Sequence, residues 1–198
     1  MAFVTIATEG PTDAEVARRI CQQTGHTAGR VFIRRGKGDL DRRLLGYNQA
    51  ARLAPWLILR DLDNDEDCAP RLLARLIPTR DKNLMVRIAV RKVESWILAD
   101  EFGIARFLSV SSSLVPSVPD ALRDPKEAMV NLARRSRRRE IVKQMVAEPG
   151  LSTSTGPGYS AVLIDFIRTR WNITDASVNS MSLRRCIDAL RRLHENET

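Results

Sequence analysis

Histidine and cysteine are scarce in this chain of 198 residues, which holds two of the first and three of the second. His26 and His194 stand far apart, and no CxxC or HxxxH pair occurs, so the sequence poorly serves a zinc site of nitrogen and sulfur ligands. Cys21, Cys68 and Cys186 are odd in number and widely spaced, which argues against a disulfide framework. No apolar run approaches the roughly 20 residues that a membrane span requires. The amino terminus, MAFVTIATEG, lacks the basic start of a secretory signal and leads straight into a strand pattern. A protein of the cytoplasm with no membrane partner is expected. Tyrosine is limited to Tyr47 and Tyr159, and Tyr159, in GPGYS, reads as a helix-start residue rather than a nucleophile.

Positive charge, in contrast, is plentiful. Thirty-two Lys and Arg face 24 Asp and Glu, a formal net charge of +8. That excess points to a polyanionic partner such as nucleic acid. Against this basic background one stretch, APWLILRDLDNDED at residues 54–67, is organised the other way. An apolar run from Trp56 to Leu59 delivers Asp61, Asp63, Asp65, Glu66 and Asp67 to its end. Like charges so close repel, and a bound divalent cation is one way to offset the repulsion. Asp61 and Asp63 are two apart, so on an extended backbone they point the same way, and oxygen ligands in that arrangement suit magnesium or manganese. A solvated acidic turn is the plainer alternative.

The order of patterns sets the fold expectation. Residues 2–8 are β-branched and apolar and predict a first strand, closed by Glu9-Gly10. Thr12 and Glu15 have capping-box spacing and predict a helix to about residue 24. A second strand is expected at 30–35, and a helix at 39–53 with Leu40, Leu44, Leu45 and Tyr47 in the core. The GKGD segment between them lacks the spacing of a nucleotide-phosphate loop. The strand ending at Asp61, a short helix at 70–76 and a strand at 84–90 follow. Glu94 then closes this last strand, and Trp96 reads as a core aromatic. Residues 102–119 predict a loop with a short helix near its start.

Asp124, Pro125 and Glu127 open a well-capped helix, and the RRSRRR run at 134–139 lies behind it. Amphipathic helices are expected at 159–171 and over the closing residues, where Leu183, Ile187, Leu190 and Leu193 share a face. Alternating strands and helices followed by helices alone predict an α/β fold, a mostly parallel sheet flanked by helices with a helical C-terminal part. The division expected is an acidic α/β core at 1–105 and a basic helical extension at 106–198 packed on it as one unit. Glu9, Asp61 and Glu94 would then meet at the carboxyl ends of the strands, where such sheets bind ligands.

Glu9-Gly10 with Thr12-Asp13 after the first strand, the DxD pair Asp61 and Asp63, and Glu94 in VESWILAD together resemble the Toprim superfamily. More narrowly, EGPTD, LRDLDND, VESWILAD and DPKEAM are similar to the Toprim-like domain-of-unknown-function family 4276, related to nucleases of the overcoming-lysogenization-defect type. The resemblance implies a metal-dependent phosphodiester reaction on DNA or RNA, with Glu9, Asp61 and Asp63 catalytic and Mg2+ or Mn2+ as cofactor. Glu9, Asp61 and Asp63 would hold the metal, Glu94 would serve a second-metal role, and Asp65 is an outer-ligand candidate. Candidates for anchoring phosphates are Arg34, Arg35, Lys37, Arg60, Lys92, Lys126, Arg137 and Arg138.

A topoisomerase would need a separate tyrosine-bearing domain for which this chain is too short, and a primase would need a zinc-binding region. Nuclease is therefore the expectation, and an ATPase partner would place it in a two-component defence system. Two alternatives remain open: a haloacid-dehalogenase-like phosphohydrolase with Asp61 as nucleophile, and a non-catalytic module that binds a cation or a partner protein.

Overall fold

A computed structural model describes residues 1–195, with side chains described as far as Leu193, so His194 lies outside the described side chains. Its four-stranded sheet has the order β2-β1-β3-β4, with β1 at Phe3–Thr8, β2 at Thr27–Ile33, β3 at Trp56–Asp61 and β4 at Leu84–Ala89. All three strand pairs are parallel, so each connection must return across a face of the sheet. Helices make those returns. Helix α1 (Pro11–Gln23) joins β1 to β2, α2 (Lys37–Asp41) and α3 (Leu44–Ala50) join β2 to β3, and α4 (Ala69–Leu76) joins β3 to β4. Beyond β4 the described chain is helical: α5 (Val93–Leu98), α6 (Glu101–Leu108), α7 (Pro125–Arg134), α8 (Arg139–Met145), α9 (Tyr159–Thr169), α10 (Ile173–Asn179) and α11 (Met181–Glu195). The expected α/β class, parallel sheet and helical C-terminal part are all present.

Strand alternation divides the core in two. Val4, Ile6, Leu57, Leu59 and Met85 point to one face and pack with Val16 and Ile20 of α1 and with the C-terminal helices. Ala7, Ile58, Val86 and Ile88 point to the other and pack with Leu40, Leu44 and Leu72 of α2 to α4. The first cluster runs without a break from Val4 to Leu193, so the C-terminal helices complete the sheet's own core. Trp96 and Phe166 are among its largest fully buried side chains, each burial contributing about 1.5–3 kcal/mol. The Trp96 indole N–H donates to Ser182 Oγ at 2.6 Å, which satisfies the one polar atom of that core residue. A seam of polar contacts also ties α1 to α9: Arg168 pairs with Glu15 at 2.9 Å, and Arg19 Nε donates to the Ile167 carbonyl at 3.1 Å.

Local patterns were not all realised. Helix α1 starts at Pro11 with Gly10 as its N-cap and no side-chain cap, so the Thr12–Glu15 box does not form; Thr12 already lies inside the helix. The helix expected over 39–53 is interrupted between Asp41 and Leu44, which resets the helical phase. Leu40, Leu44 and Tyr47 are buried as expected, whereas Leu45 is 70% exposed. Strand β2 starts at Thr27 and ends at Ile33, leaving Arg34 and Arg35 in the turn beyond it. Asp124 does cap α7, its carboxylate accepting the Lys126 and Glu127 amides at 3.1 Å.

Candidate functional site

The site grows out of the strand order. From β1 the chain turns to α1 on one face of the sheet, and from the adjacent β3 it turns to α4 on the opposite face. The two connections diverge, and a crevice opens between the carboxyl ends of β1 and β3. Glu9 follows β1 directly and Asp61 is the last residue of β3. Glu9 Oε1 accepts the Asp61 amide at 3.0 Å. Asp61 Oδ1 in turn accepts the amide of Val93, the first residue of α5, at 2.9 Å. This chain of bonds fixes the start of α5 to the end of β3 and brings Glu94 in at the next position.

A cleft of roughly 260 Å³ results, lined by Glu9, Asp13, Asp61, Asp63 and Glu94, with Lys92, Lys126 and Tyr159 on its walls. Asp13 belongs to the first turn of α1. Gly10 gives it room, because a Cβ at position 10 would stand 3.0 Å from Asp13 Oδ2. Glu94 is buried, and the hydroxyl of Tyr159 at the start of α9 donates to its Oε1 at 3.0 Å. The expected trio of Glu9, Asp61 and Glu94 is therefore brought to one place, with Asp13 as a fourth carboxyl.

Burial sets the electrostatics and mutual repulsion adds to it. Burial pushes Asp61 well above the ordinary aspartate range, and Asp13, Glu94 and Glu9 push it further. The same two causes lift Asp13 to about 7, with Glu94 and then Glu9 as the repelling neighbours. Glu94 is raised by burial, against the opposing pull of the Tyr159 hydrogen bond and the Lys126 and Lys92 charges. Glu9 is also raised by burial, partly offset by the Asp61 amide and the Arg60 charge. The phenol of Tyr159 is driven up by its burial and by Glu94, so it remains a neutral donor. Four of the five carboxyls that line the cleft, Glu9, Asp13, Asp61 and Glu94, are thus raised, and the cleft disfavours their holding all four negative charges.

Hard oxygen donors with surplus negative charge match magnesium or manganese in kind. Among the described residues, however, no group of three or more His, Cys, Asp or Glu side chains is arranged to hold an ion as it stands. Glu9 and Asp61 each commit an oxygen to a backbone amide, and Glu94 commits one to Tyr159. A cation would engage their remaining oxygens, with Glu9, Asp61, Glu94 and Asp13 as the holders.

The other expected residues fall into three groups. Asp63 lines the cleft in a left-handed conformation (φ 50°), with its Oδ2 on Lys37 Nζ at 3.0 Å and its Oδ1 at 3.9 Å from Lys92 Nζ. Asp65 does not line it: Lys37 Nζ at 2.8 Å and the Arg60 guanidinium hold it in an adjoining charge cluster that touches the cleft through Asp63 and Glu9. These bonds outweigh burial and keep its carboxyl below the ordinary range. Arg60 corrects the expectation of a phosphate anchor, since it is 2% exposed and engaged by Asp65, by Asp41 at 3.1 Å and by Glu9 at 3.6 Å.

Lys92 and Lys126 do reach the cleft, the former 3.5 Å from Asp124 and the latter 5.4 Å from the centre of the Tyr159 ring. Arg34 is bonded to the Tyr47 hydroxyl at 2.6 Å and stacked on Phe32, while Arg35 is exposed in the turn beside it. Arg137 and Arg138 are exposed in the turn between α7 and α8 and take no part in lining the cleft.

Asp13 and Tyr159 are the residues that site assignment from sequence missed. Asp13 carried a signal, since it lies four positions after Glu9 across a strand-to-helix turn. Tyr159 carried none, because its partner Glu94 is 65 residues away. Fold and site together define a parallel α/β protein with a carboxyl-rich cleft at the sheet's switch point. No family model, curated protein or solved structure matches the chain.

Proposed function

We propose that this protein is a magnesium- or manganese-dependent nuclease of Toprim-like type, hydrolysing phosphodiester bonds of DNA or RNA in the cytoplasm. The observation that carries the reading is the meeting of Glu9 from the turn after β1, Asp13 from α1, Asp61 from β3 and Glu94 from α5 in a cleft walled by Lys92 and Lys126. A divalent cation bound there would offset the carboxyl repulsion and the charge that builds on a scissile phosphate. The chain's own groups divide the remaining work. Lys92 and Lys126 receive the non-bridging oxygens of the substrate phosphate. Burial raises both Asp13 and Glu9 in the metal-free cleft, and whichever of the two is left unengaged by the cation takes the proton from the attacking water while the departing oxygen leaves with the electrons of the broken P–O bond and a proton from solvent. Tyr159 holds Glu94 in orientation through its hydroxyl.

Nucleic acid is the proposed partner, and an ATPase subunit is the proposed accessory if the protein acts in a defence pair. Incubation with DNA and RNA panels in Mg2+ or Mn2+ tests the reading. Cleavage by wild type that disappears in Glu9→Gln and Asp61→Asn, both still folded by circular dichroism, is expected. Full activity in both variants would sink it. A trapped phosphoaspartate at Asp61 would instead establish the phosphohydrolase alternative, and tight partner binding with no cleavage would favour the non-catalytic one.

A further inference from the structure

The alternation along β4 places Met85 and Ala89 in the core face, and Arg87 between them shares that face. A guanidinium is a costly group to put there. Its Nε is buried and has no hydrogen-bond partner. The charges beside it make matters worse: burial lowers its pKa, and the cations Arg192 and Arg80 lower it further. Its other neighbour, Cys186, offers no counter-charge, because burial keeps that thiol protonated by pushing it up to about 12.

Arg87 forms the inner wall of a cleft of roughly 320 Å³ between the start of β4, the connection before it and α11, with Arg80, Lys82 and Arg192 also lining it. Those last three are exposed. Among the described residues no ion pair involves any of these four cations. Asp81 is the acid that lines the same cleft, and its Oδ1 is taken by the Asn83 amide at 2.9 Å. The strand's six residues span roughly 20 Å, and this cleft lies at the amino end of β4, opposite the carboxyl cleft.

We propose that this second cleft binds a small phosphate-bearing anion of about the size of pyrophosphate, with Arg87, Arg80 and Arg192 as donors and Lys82 at the mouth. Guanidinium groups match tetrahedral oxyanions through paired N–H donors, and among the described residues four cations against the single carboxylate of Asp81 leave an excess of positive charge that suits a ligand with more than one negative charge. The volume is at the small end for a ligand site, which suits a compact anion rather than a nucleoside with its base. The site does not depend on the nuclease reading, since no residue is shared between the two clefts.

Calorimetric titration of the full chain with pyrophosphate, in EDTA to keep the carboxyl cleft free of metal, tests the proposal. One saturable site is expected in wild type, with affinity weakened about tenfold or more in the Arg80→Ala/Arg192→Ala double variant, whose positions are exposed. A Lys92→Ala/Lys126→Ala variant, altered only in the other cleft, should bind as wild type does. No saturable binding, or equal affinity in the arginine double variant, overturns the proposal. Preferential loss of oligonucleotide binding in that variant, with pyrophosphate unaffected, overturns it in favour of a nucleic-acid surface.

Discussion

Asp13 is lifted from the ordinary 3.8 to about 7 by burial and by Glu94 and Glu9. A carboxyl raised on folding binds its proton more tightly in the native state, so its contribution is fully present below about pH 4 and is lost as the pH rises through about 7. Asp61, Glu94 and Glu9 are raised too and act in the same direction. Metal-free protein should therefore lose thermal stability between about pH 4 and pH 7, and Asp13→Asn should flatten that decline and raise the melting temperature at pH 8 by on the order of a few degrees. Differential scanning fluorimetry across pH reads both, and an unaltered profile in the variant would remove Asp13 from the coupled group. Added Mg2+ should stabilise wild type at pH 8 and do so less in Asp61→Asn, because binding to the native state alone shifts the equilibrium.

Strand β3 shows what pattern can and cannot reveal at the scale of an element. Its apolar residues and terminal acids were legible because a buried parallel strand is a short continuous hydrophobic run. So was Glu9, which closes the neighbouring strand. Arg60 was not legible, since nothing local says that a basic residue beside Asp61 turns inward to meet Asp41 and Asp65. Those partners lie 19 and 5 residues away, and long-range ion pairs leave no periodic trace. Leu45 failed for a related reason: a helix break between Asp41 and Leu44 shifts the phase on which the core assignment depended.

The Arg60 cluster is testable by itself. Arg60→Met removes a buried cation from three carboxylates and should cost about 3–5 kcal/mol in urea unfolding, with Arg60→Lys recovering part of that. A loss below about 1 kcal/mol would put the pair in the class of exposed ion pairs. At α9, Tyr159→Phe leaves Glu94 without its hydroxyl donor and should cost about 1–3 kcal/mol. A double-mutant cycle with Glu94→Gln should show coupling between the two.

For the molecule as a whole, residues on either side of position 105 pack into one core. Val4, Ile6 and Leu57 share one cluster with Phe166, Leu183 and Leu190, so cutting after residue 105 would strip the C-terminal helices from a face that α1 and α5 cover only in part. A 1–105 fragment is expected to lack cooperative unfolding by circular dichroism, and a sharp transition in that fragment would show that the sheet is self-sufficient.

The seam between α1 and α9 has a further consequence, and it concerns time. Helix α1 carries Asp13 and α9 carries Tyr159, so the Glu15–Arg168 pair and the Arg19 bond to Ile167 couple opposite walls of one cleft. Such ties are expected to make the two helices move together. Substrate arrival should then be paced by side-chain rotation on the nanosecond scale rather than by a slower hinge, and backbone amides of both helices should exchange with deuterium in step, as a single cooperative unit.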